Sequence, residues 1–411
     1  MRIFFIGQKG IPSSYGGVEN HVEQLAVRLA AKGHKVHAYC RRWYQQITFP
    51  INPNQNQYKK VNLLTFPSIN NKNIDTILST SLNTLNVLTK KADIIHYHGI
   101  GPSSLLFIPR FLKRKSRIVG TFHCRDYHHQ KWGFFAQEYL KFGEKICVHF
   151  SHNAIAVSQA LQDYARKKYH KEIAYIPNGV PIMKKERPKL ISDWNLERNK
   201  YIITVARLVR HKNIHHLIKA YQRIYQKPTP THPKLVIVGG PADGGGKYEE
   251  SLKKISKENP NIVFTGYQTG HLLAELFSNA YFYVHPSISE GLPIAILEAM
   301  AYGKCPLVSN IPENLEPISD FGFSFKVGSI KDLTEKLRAL LHKPKLVQET
   351  GEKARKHVRK NYNWDQIIEK TQEFYDGLYH HHPSHIHPKD FAIHHWDRVA
   401  ELTEKFYLNL F

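Results

Sequence analysis

The sequence predicts an α/β protein built from two doubly wound parallel-sheet domains that face each other across a cleft. Three observations carry this. Short apolar runs alternate with longer amphipathic stretches from the first residue onward. Several of those runs are almost continuously apolar, as strands covered on both faces require. The alternation then starts afresh near Tyr201, giving two series of similar size within 411 residues.

In the first series, Arg2–Gly7, Lys35–Tyr39, Ile94–His98, Arg117–His123 and Ala154–Ser158 read as strands. Between the first two, Glu19 to Lys32 carries Val22, Leu25, Ala26 and Leu29 at helical spacing, and Gly33 closes it. In the second series, Tyr201–Val205, Leu235–Val238, Ile262–Thr265, Tyr281–Val284 and Pro306–Ser309 are the strands. Pro177–Pro188, rich in turn formers and charge, reads as the linker. The expected division is therefore 1–180, 181–379 and a tail, 380–411. That tail crowds His380, His381, His382, His385, His387, His394 and His395 before an amphipathic stretch with Phe391, Trp396, Val399, Leu402 and Phe406. Imidazoles can bind metal, but an aromatic helix face packing on the body or on a partner is the preferred reading. Ligands are expected beyond the carboxyl ends of the strands, in the cleft.

Composition excludes several classes. Hydrophobic residues at 42% and charged residues at 22% are globular, not disordered or fibrous. No apolar run approaches the ~18 residues of a membrane span. The opening MRIFFIG is too short for a signal-peptide core. Cys40, Cys124, Cys147 and Cys305 have no paired spacing, which argues against a disulfide framework and for a reduced, cytoplasmic setting. The net charge of +24 is uneven: residues 1–200 hold 31 basic and 12 acidic side chains, residues 201–411 hold 27 and 22. The first half thus expects an anionic partner. In the strip Arg110–Arg117, cations flank Phe111 and Leu112, a pattern suited to an anionic membrane surface; no nucleic-acid motif accompanies it.

The chemistry concentrates in Ser289–Gly303. Pro293 suits a first helical turn, and the free N–H groups around Gly291, Leu292, Pro293 and Ile294, with the positive helix end, suit a diphosphate. Glu290 and Glu298 flank that site as hydroxyl acceptors. Arg207 and Lys212 follow the first strand of the second series; fixed cations there stabilise charge growing on a departing phosphate, or else form a solvated basic loop. Gly16 and Gly17 open the first helix, where they either admit a phosphate or make a plain tight turn. They do not belong to a dinucleotide fingerprint. His123 ends a strand, as a structural hydrogen-bonder or as a cleft group. Arg125, Asp126 and Trp132 form a polar-aromatic loop beside it, suited to sugar or acceptor contact, and His98 ends the adjacent strand and lines the same acceptor side of the cleft.

Glu290 and Glu298, with SEGLP and LEAMAYG around them, resemble the E-x7-E signature of the retaining family 4 glycosyltransferases of the GT-B fold, over roughly residues 1–375. The resemblance implies that Glu290 contacts the transferred sugar and Glu298 the nucleotide ribose. It also implies that Arg207 and Lys212 neutralise the donor diphosphate, that Gly16–Gly17 abut it, and that His123 lies near the reacting sugar. The expected reaction moves a sugar from a nucleotide diphosphate donor to a glycan or lipid-linked acceptor in bacterial polysaccharide synthesis. No Asp-x-Asp ends a strand, so no metal or cofactor is expected. The enzyme would sit in the cytoplasm, peripheral on the inner face of the membrane. Motifs at Gly7–Pro12, Tyr39–Arg41, His98–Pro102, Lys131–Gly133 and Asn310–Glu316 further resemble a bacterial subset labelled rhamnosyltransferase, with a DUF1972-type first domain. The alternatives are another GT-B sugar-nucleotide enzyme, an epimerase or phosphorylase, or a basic protein that binds membrane or nucleic acid.

Overall fold

The computed structural model describes residues 1–380 apart from 15, 50–51, 53–54, 70–73, 129–132 and 242–245. Trp132, the amphipathic stretch with its histidines beyond 380, and most of the glycine-rich segment at 243–247 therefore lie outside the described residues.

The first sheet comprises β1 (Arg2–Ile6), β2 (Lys35–Arg41), β3 (Gln57–Tyr58), β4 (Val61–Phe66), β5 (Ile94–His98), β6 (Arg117–Phe122), β7 (Asn153–Ala156) and β8 (Ala174–Tyr175). Its order is β3-β4-β2-β1-β5-β6-β7-β8, parallel throughout except for the β3–β4 pair. The second sheet holds β9 (Tyr201–Val205), β10 (Lys234–Val238), β11 (Ile262–Gly266), β12 (Phe282–His285), β13 (Pro306–Ser309) and β14 (Phe323–Phe325), in the order β11-β10-β9-β12-β13-β14. The apolar runs explain the parallel pairing: all five residues of β5 and all six of β6 are buried, because helices cover both faces.

In each sheet the chain winds outward from its first strand and returns on the other side of it. The two switch points thus lie between β1 and β5 and between β9 and β12. Crevices open at such points, beyond the strand ends, and every residue of the candidate site comes from the segments leaving those strands or β6.

The chain does not divide as its sequence order suggests. The helix Trp364–His380 returns to the first domain, where Trp364, Ile367, Ile368 and Tyr375 join the core of Ile3, Phe5, Val22 and Ile94. Its apolar stripe would otherwise stay exposed. Tyr375 donates or accepts at 2.6 Å with His96 of β5. The boundary at 379 is therefore replaced by a crossing near 363. Pro177–Pro188 is likewise no free tether: Asn178 and Val180 are buried, and the Val180 N–H donates to the Tyr362 carbonyl at 2.7 Å.

The strip Arg110–Arg117 also differs from a row of exposed cations. Arg117 is buried in β6, and its Nε donates to the Leu378 carbonyl at 2.7 Å. The Lys113 ammonium is tied to the carbonyls of Leu88 and Lys90. Leu112, Arg114 and Lys115 remain exposed.

Candidate active site

Two helices begin against each other across the cleft. Gly17–Ala31 follows β1 and Ile294–Ala301 follows β12; neither start has a side-chain cap. A Cβ placed on Gly17 would touch Ile294 Cδ1 at 4.0 Å. Two uncapped, positively polarised helix ends thus meet in one place. Gly16 permits this turn: its φ is +107°, and a Cβ there would lie 2.0 Å from Glu19 Oε2. Glu19 itself turns back to accept the Lys9 N–H at 3.3 Å, so it braces the loop.

The domains touch where the sequence places its glycine after Glu290. A Cβ on Gly291 would stand 1.6 Å from the carbonyl oxygen of His123. Leu292, the next residue, accepts from Asn178 Nδ2 at 2.8 Å. The Tyr267 hydroxyl donates to the Ser14 carbonyl from the other side. Arg125, expected beside sugar or acceptor, instead pairs with Glu313 of the second domain at 3.0 Å. Glu316 accepts from the Gln159 N–H at 2.8 Å and from the Tyr175 hydroxyl at 2.9 Å, capping the first-domain helix Gln159–Tyr169. Asp126 accepts from the Cys124 thiol at 3.1 Å.

A hydroxyl acceptor and a phosphate-facing cation would suit an open cleft, the setting expected of Glu290 and Lys212. Both are instead largely buried and paired. Glu290 Oε1 takes the Lys212 ammonium and also His285 Nε2, at 2.8 Å. His285, the last residue of β12, is held in turn by the Tyr283 hydroxyl at 2.7 Å from Nδ1. Burial alone would raise the Glu290 carboxyl, but Lys212 and His285 outweigh it and hold it well below the ordinary carboxylate range. Glu290 is therefore an anion in a fixed orientation. His285 and Tyr283 drew no notice in the sequence; the only available signal was a polar residue five before Glu290 in an apolar strand.

Glu298 is the counterpart. Among the described residues no donor or cation pairs with it, and burial pushes its carboxyl up to about 7. Arg207 is exposed beyond β9 and also lacks a partner among the described residues. Burial, with Asp126 beside it, raises the Cys124 thiol well above its usual range.

His123 and His98 are joined: His123 Nε2 lies 3.1 Å from His98 Nδ1. His21, from the first helix, packs edge-on to His123 with ring centroids 5.0 Å apart. Burial pushes His21 down to about 4 and holds His98 and His123 well below the ordinary imidazole value, so all three are neutral. One ring nitrogen from each lies within 4.8 Å of the others.

Comparison with known proteins covers both halves. The family described as Glycosyltransferase Family 4 matches residues 15–184, and Glycosyl transferases group 1 matches 186–357. The chain is 24% identical over 396 residues to the phosphatidylinositol N-acetylglucosaminyltransferase gpi3 subunit of Schizosaccharomyces pombe, covering 88% of this chain and 78% of that protein. It is 36% identical over 129 residues to the sulfoquinovosyl transferase SQD2 of Arabidopsis thaliana, 29% of this chain and only 24% of that one. The solved sucrose-phosphate synthase of Thermosynechococcus elongatus superposes with a TM-score of 0.75 at 21% identity, covering 92% of this chain and 99% of its own.

Proposed function

We propose that this chain, which belongs to the family 4 glycosyltransferases of GT-B fold and works on nucleotide sugars, transfers a hexosyl group with retained configuration to a glycan or lipid-linked acceptor in bacterial polysaccharide synthesis. The observation that carries this reading is the meeting of two helix ends without side-chain caps, with Lys212 held by Glu290 just ahead of the second of them. That concentration of positive potential fits a diphosphate. Arg207 and Lys212 stabilise the charge that grows on the departing diphosphate, and the helix N–H groups add to it. Glu290, anchored by His285 and Lys212, accepts hydroxyl hydrogen bonds from the transferred sugar. Glu298 receives the ribose hydroxyls. His123, backed by His98, walls the sugar from the first domain, and Asp126 lies on the acceptor side. The positive charge needed is all supplied by the protein, so the reaction runs without a metal.

The test is a product assay with UDP-, GDP- and dTDP-sugars, a lipid-linked acceptor extract and EDTA. The expected result is acceptor-dependent release of nucleoside diphosphate and an unchanged anomeric configuration, undiminished by chelation. An epimerised sugar nucleotide, or phosphate-dependent release of sugar 1-phosphate, would replace this reading with another GT-B chemistry. Activity restored only by added magnesium or manganese would show a missing metal. Motifs such as Gly7–Pro12 and His98–Pro102 favour the rhamnosyltransferase-like subset, so dTDP-sugars belong in the first round.

Glu298 supplies a pH test. A carboxyl raised by burial favours the fold in its protonated form; that contribution is complete below its ordinary 4.5 and is lost as pH rises through about 7. Ribose hydroxyls donate to the ionised form, so nucleotide binding strengthens from pH 6 to pH 8. One unit below the midpoint about a tenth of the groups are ionised, giving a dissociation constant about tenfold larger. Calorimetry on wild type and Glu298→Gln checks this: the variant binds more weakly and loses the pH dependence. An equal pH dependence in both would remove Glu298 from the ribose site.

The enzyme docks on the inner face of the membrane. No helix among the described residues is long and apolar enough to cross one, and the charge excess of the first half and the lipid named for the yeast relative support surface attachment. Phe134 and Phe135, 71% and 67% exposed at the cleft-side start of Phe134–Phe150, are the apolar contacts. Co-sedimentation with phosphatidylglycerol vesicles should fade toward 1 M salt, where the Debye length is about 3 Å. It should also weaken in Phe134→Ser/Phe135→Ser. Binding that ignores both salt and this substitution would rule the surface out.

A further inference from the structure

We propose that His21, His98 and His123 form a zinc site at the floor of the cleft, and that its occupation switches the transferase off. The three come from separate segments, the first helix and the ends of β5 and β6, and converge only through the fold. Their ligand nitrogens lie within 4.8 Å of one another, and the His98–His123 edge is 3.1 Å. Zinc at about 2.0–2.1 Å from each imidazole, with tetrahedral angles, holds ligand nitrogens about 3.3 Å apart. One edge already fits, and the others need to close by about 1.5 Å at most.

The chemistry of the donors selects the ion. Three neutral imidazoles without a carboxylate suit zinc and its neighbours rather than magnesium or calcium. The His21 ring also carries an unsatisfied atom: its Nδ1 is buried with no hydrogen-bond partner. Buried polar atoms normally find one. His96, tilted against His98 with centroids 4.1 Å apart, shows the contrast, since its two nitrogens are satisfied by Tyr375 and Thr121. Coordination uses lone pairs already present, and the proton between His98 and His123 moves to the far nitrogen of the ring that bears it.

Inhibition rests on the transferase reading above, whereas binding does not. Zinc would pin the His123 ring toward His98 and His21, and the His123 carbonyl forms the wall against Gly291. A ring drawn into a metal site pulls that wall out of register with the donor.

The experiment titrates the full-length chain with cobalt(II), whose tetrahedral complexes absorb strongly, and in parallel assays transfer with zinc. Wild type and His21→Asn share the same histidine-rich tail, so the difference between them isolates this site. The expected result is one tetrahedral cobalt site in wild type and its loss in the variant. Outer-shell changes alone cost 10–100-fold in metal affinity, so removing a ligand should cost at least about 100-fold. Zinc should suppress wild-type transfer and spare His21→Asn, whose turnover without metal is unchanged. Identical cobalt spectra in the two chains, or no tetrahedral spectrum, overturn the site. A second variant, His98→Asn, with melting curves recorded without metal, separates ligand loss from misfolding. If cobalt binds as expected but no sugar donor supports transfer, the zinc site stands and the transferase reading fails. If transfer proceeds and zinc at full occupancy leaves it unchanged, the switch is refuted.

Discussion

Glu290→Gln is expected to lower transfer by about 10²–10³-fold, the loss typical when one preorganised electrostatic partner of a transition state is removed. The substitution keeps the size of the side chain and removes its charge. In the present geometry Glu290 Oε1 meets both the Lys212 ammonium and His285 Nε2, so the change also releases Lys212 from its partner. Lys212→Ala should cost a similar factor, because the ammonium is the compact charge proposed above to meet the departing phosphate. The two losses should not add, since they remove parts of one unit. His285→Asn tests the support beneath them: His285 is buried between Tyr283 and Glu290 and fixes the orientation of Glu290. It should reduce turnover with little change in the Michaelis constant. The measurement is steady-state transfer on variants whose melting curves match wild type. Near-normal turnover in a folded Glu290→Gln would end its assignment to the transferred sugar.

Much of this architecture is legible in the residues, and the parts that are not share a physical cause. Strands such as Ile94–His98 and Tyr201–Val205 are visible because a parallel strand buried on both faces must be apolar at nearly every position. β4 escaped because its burial alternates only partly, and β3 and β8 are two residues each, below what any pattern can register. The helix Trp364–His380 shows a clear apolar stripe, but a stripe does not say which sheet will cover it. Candidate residues adjacent to strand ends were legible for the same reason the strands were. Their pairings were not. Lys212 and Glu290 stand 78 positions apart and meet because β9 and β12 are neighbours in the sheet. His21, His98 and His123 meet because β1, β5 and β6 lie side by side. Such contacts follow from strand order, which local periodicity does not encode. Arg125 and Arg117 illustrate the reverse case: charges that look available in the sequence are taken by Glu313 and by the Leu378 carbonyl once the chain has folded.

Gly291→Ala is expected to abolish most transfer while leaving both domains folded. The added methyl would sit 1.6 Å from the His123 carbonyl oxygen and 2.8 Å from its carbon. Neither atom can yield, since both belong to the backbone where β6 ends against its neighbours. The clash is relieved only by moving the domains apart at the point where Glu290, Ile294 and Gly17 converge. Each sheet keeps one buried layer of its own, Ile3, Phe5 and Val36 on one side and Ile202, Leu217 and Val284 on the other, while Leu292, next to Gly291, belongs to the layer the two domains share, so the strain falls on that shared layer and spares the two separate ones. A displacement of about 1 Å in an active site costs on the order of 10²-fold in rate. Here it would act on the donor and on the first-domain wall together, so both the turnover and the affinity for nucleotide should fall. Small-angle scattering should report a more open molecule than wild type, and the melting temperature should change little. A Gly291→Ala enzyme with wild-type turnover would mean that the domain contact seen here is not the one in which transfer takes place. The reacting arrangement would then lie in a different closure of the same two domains.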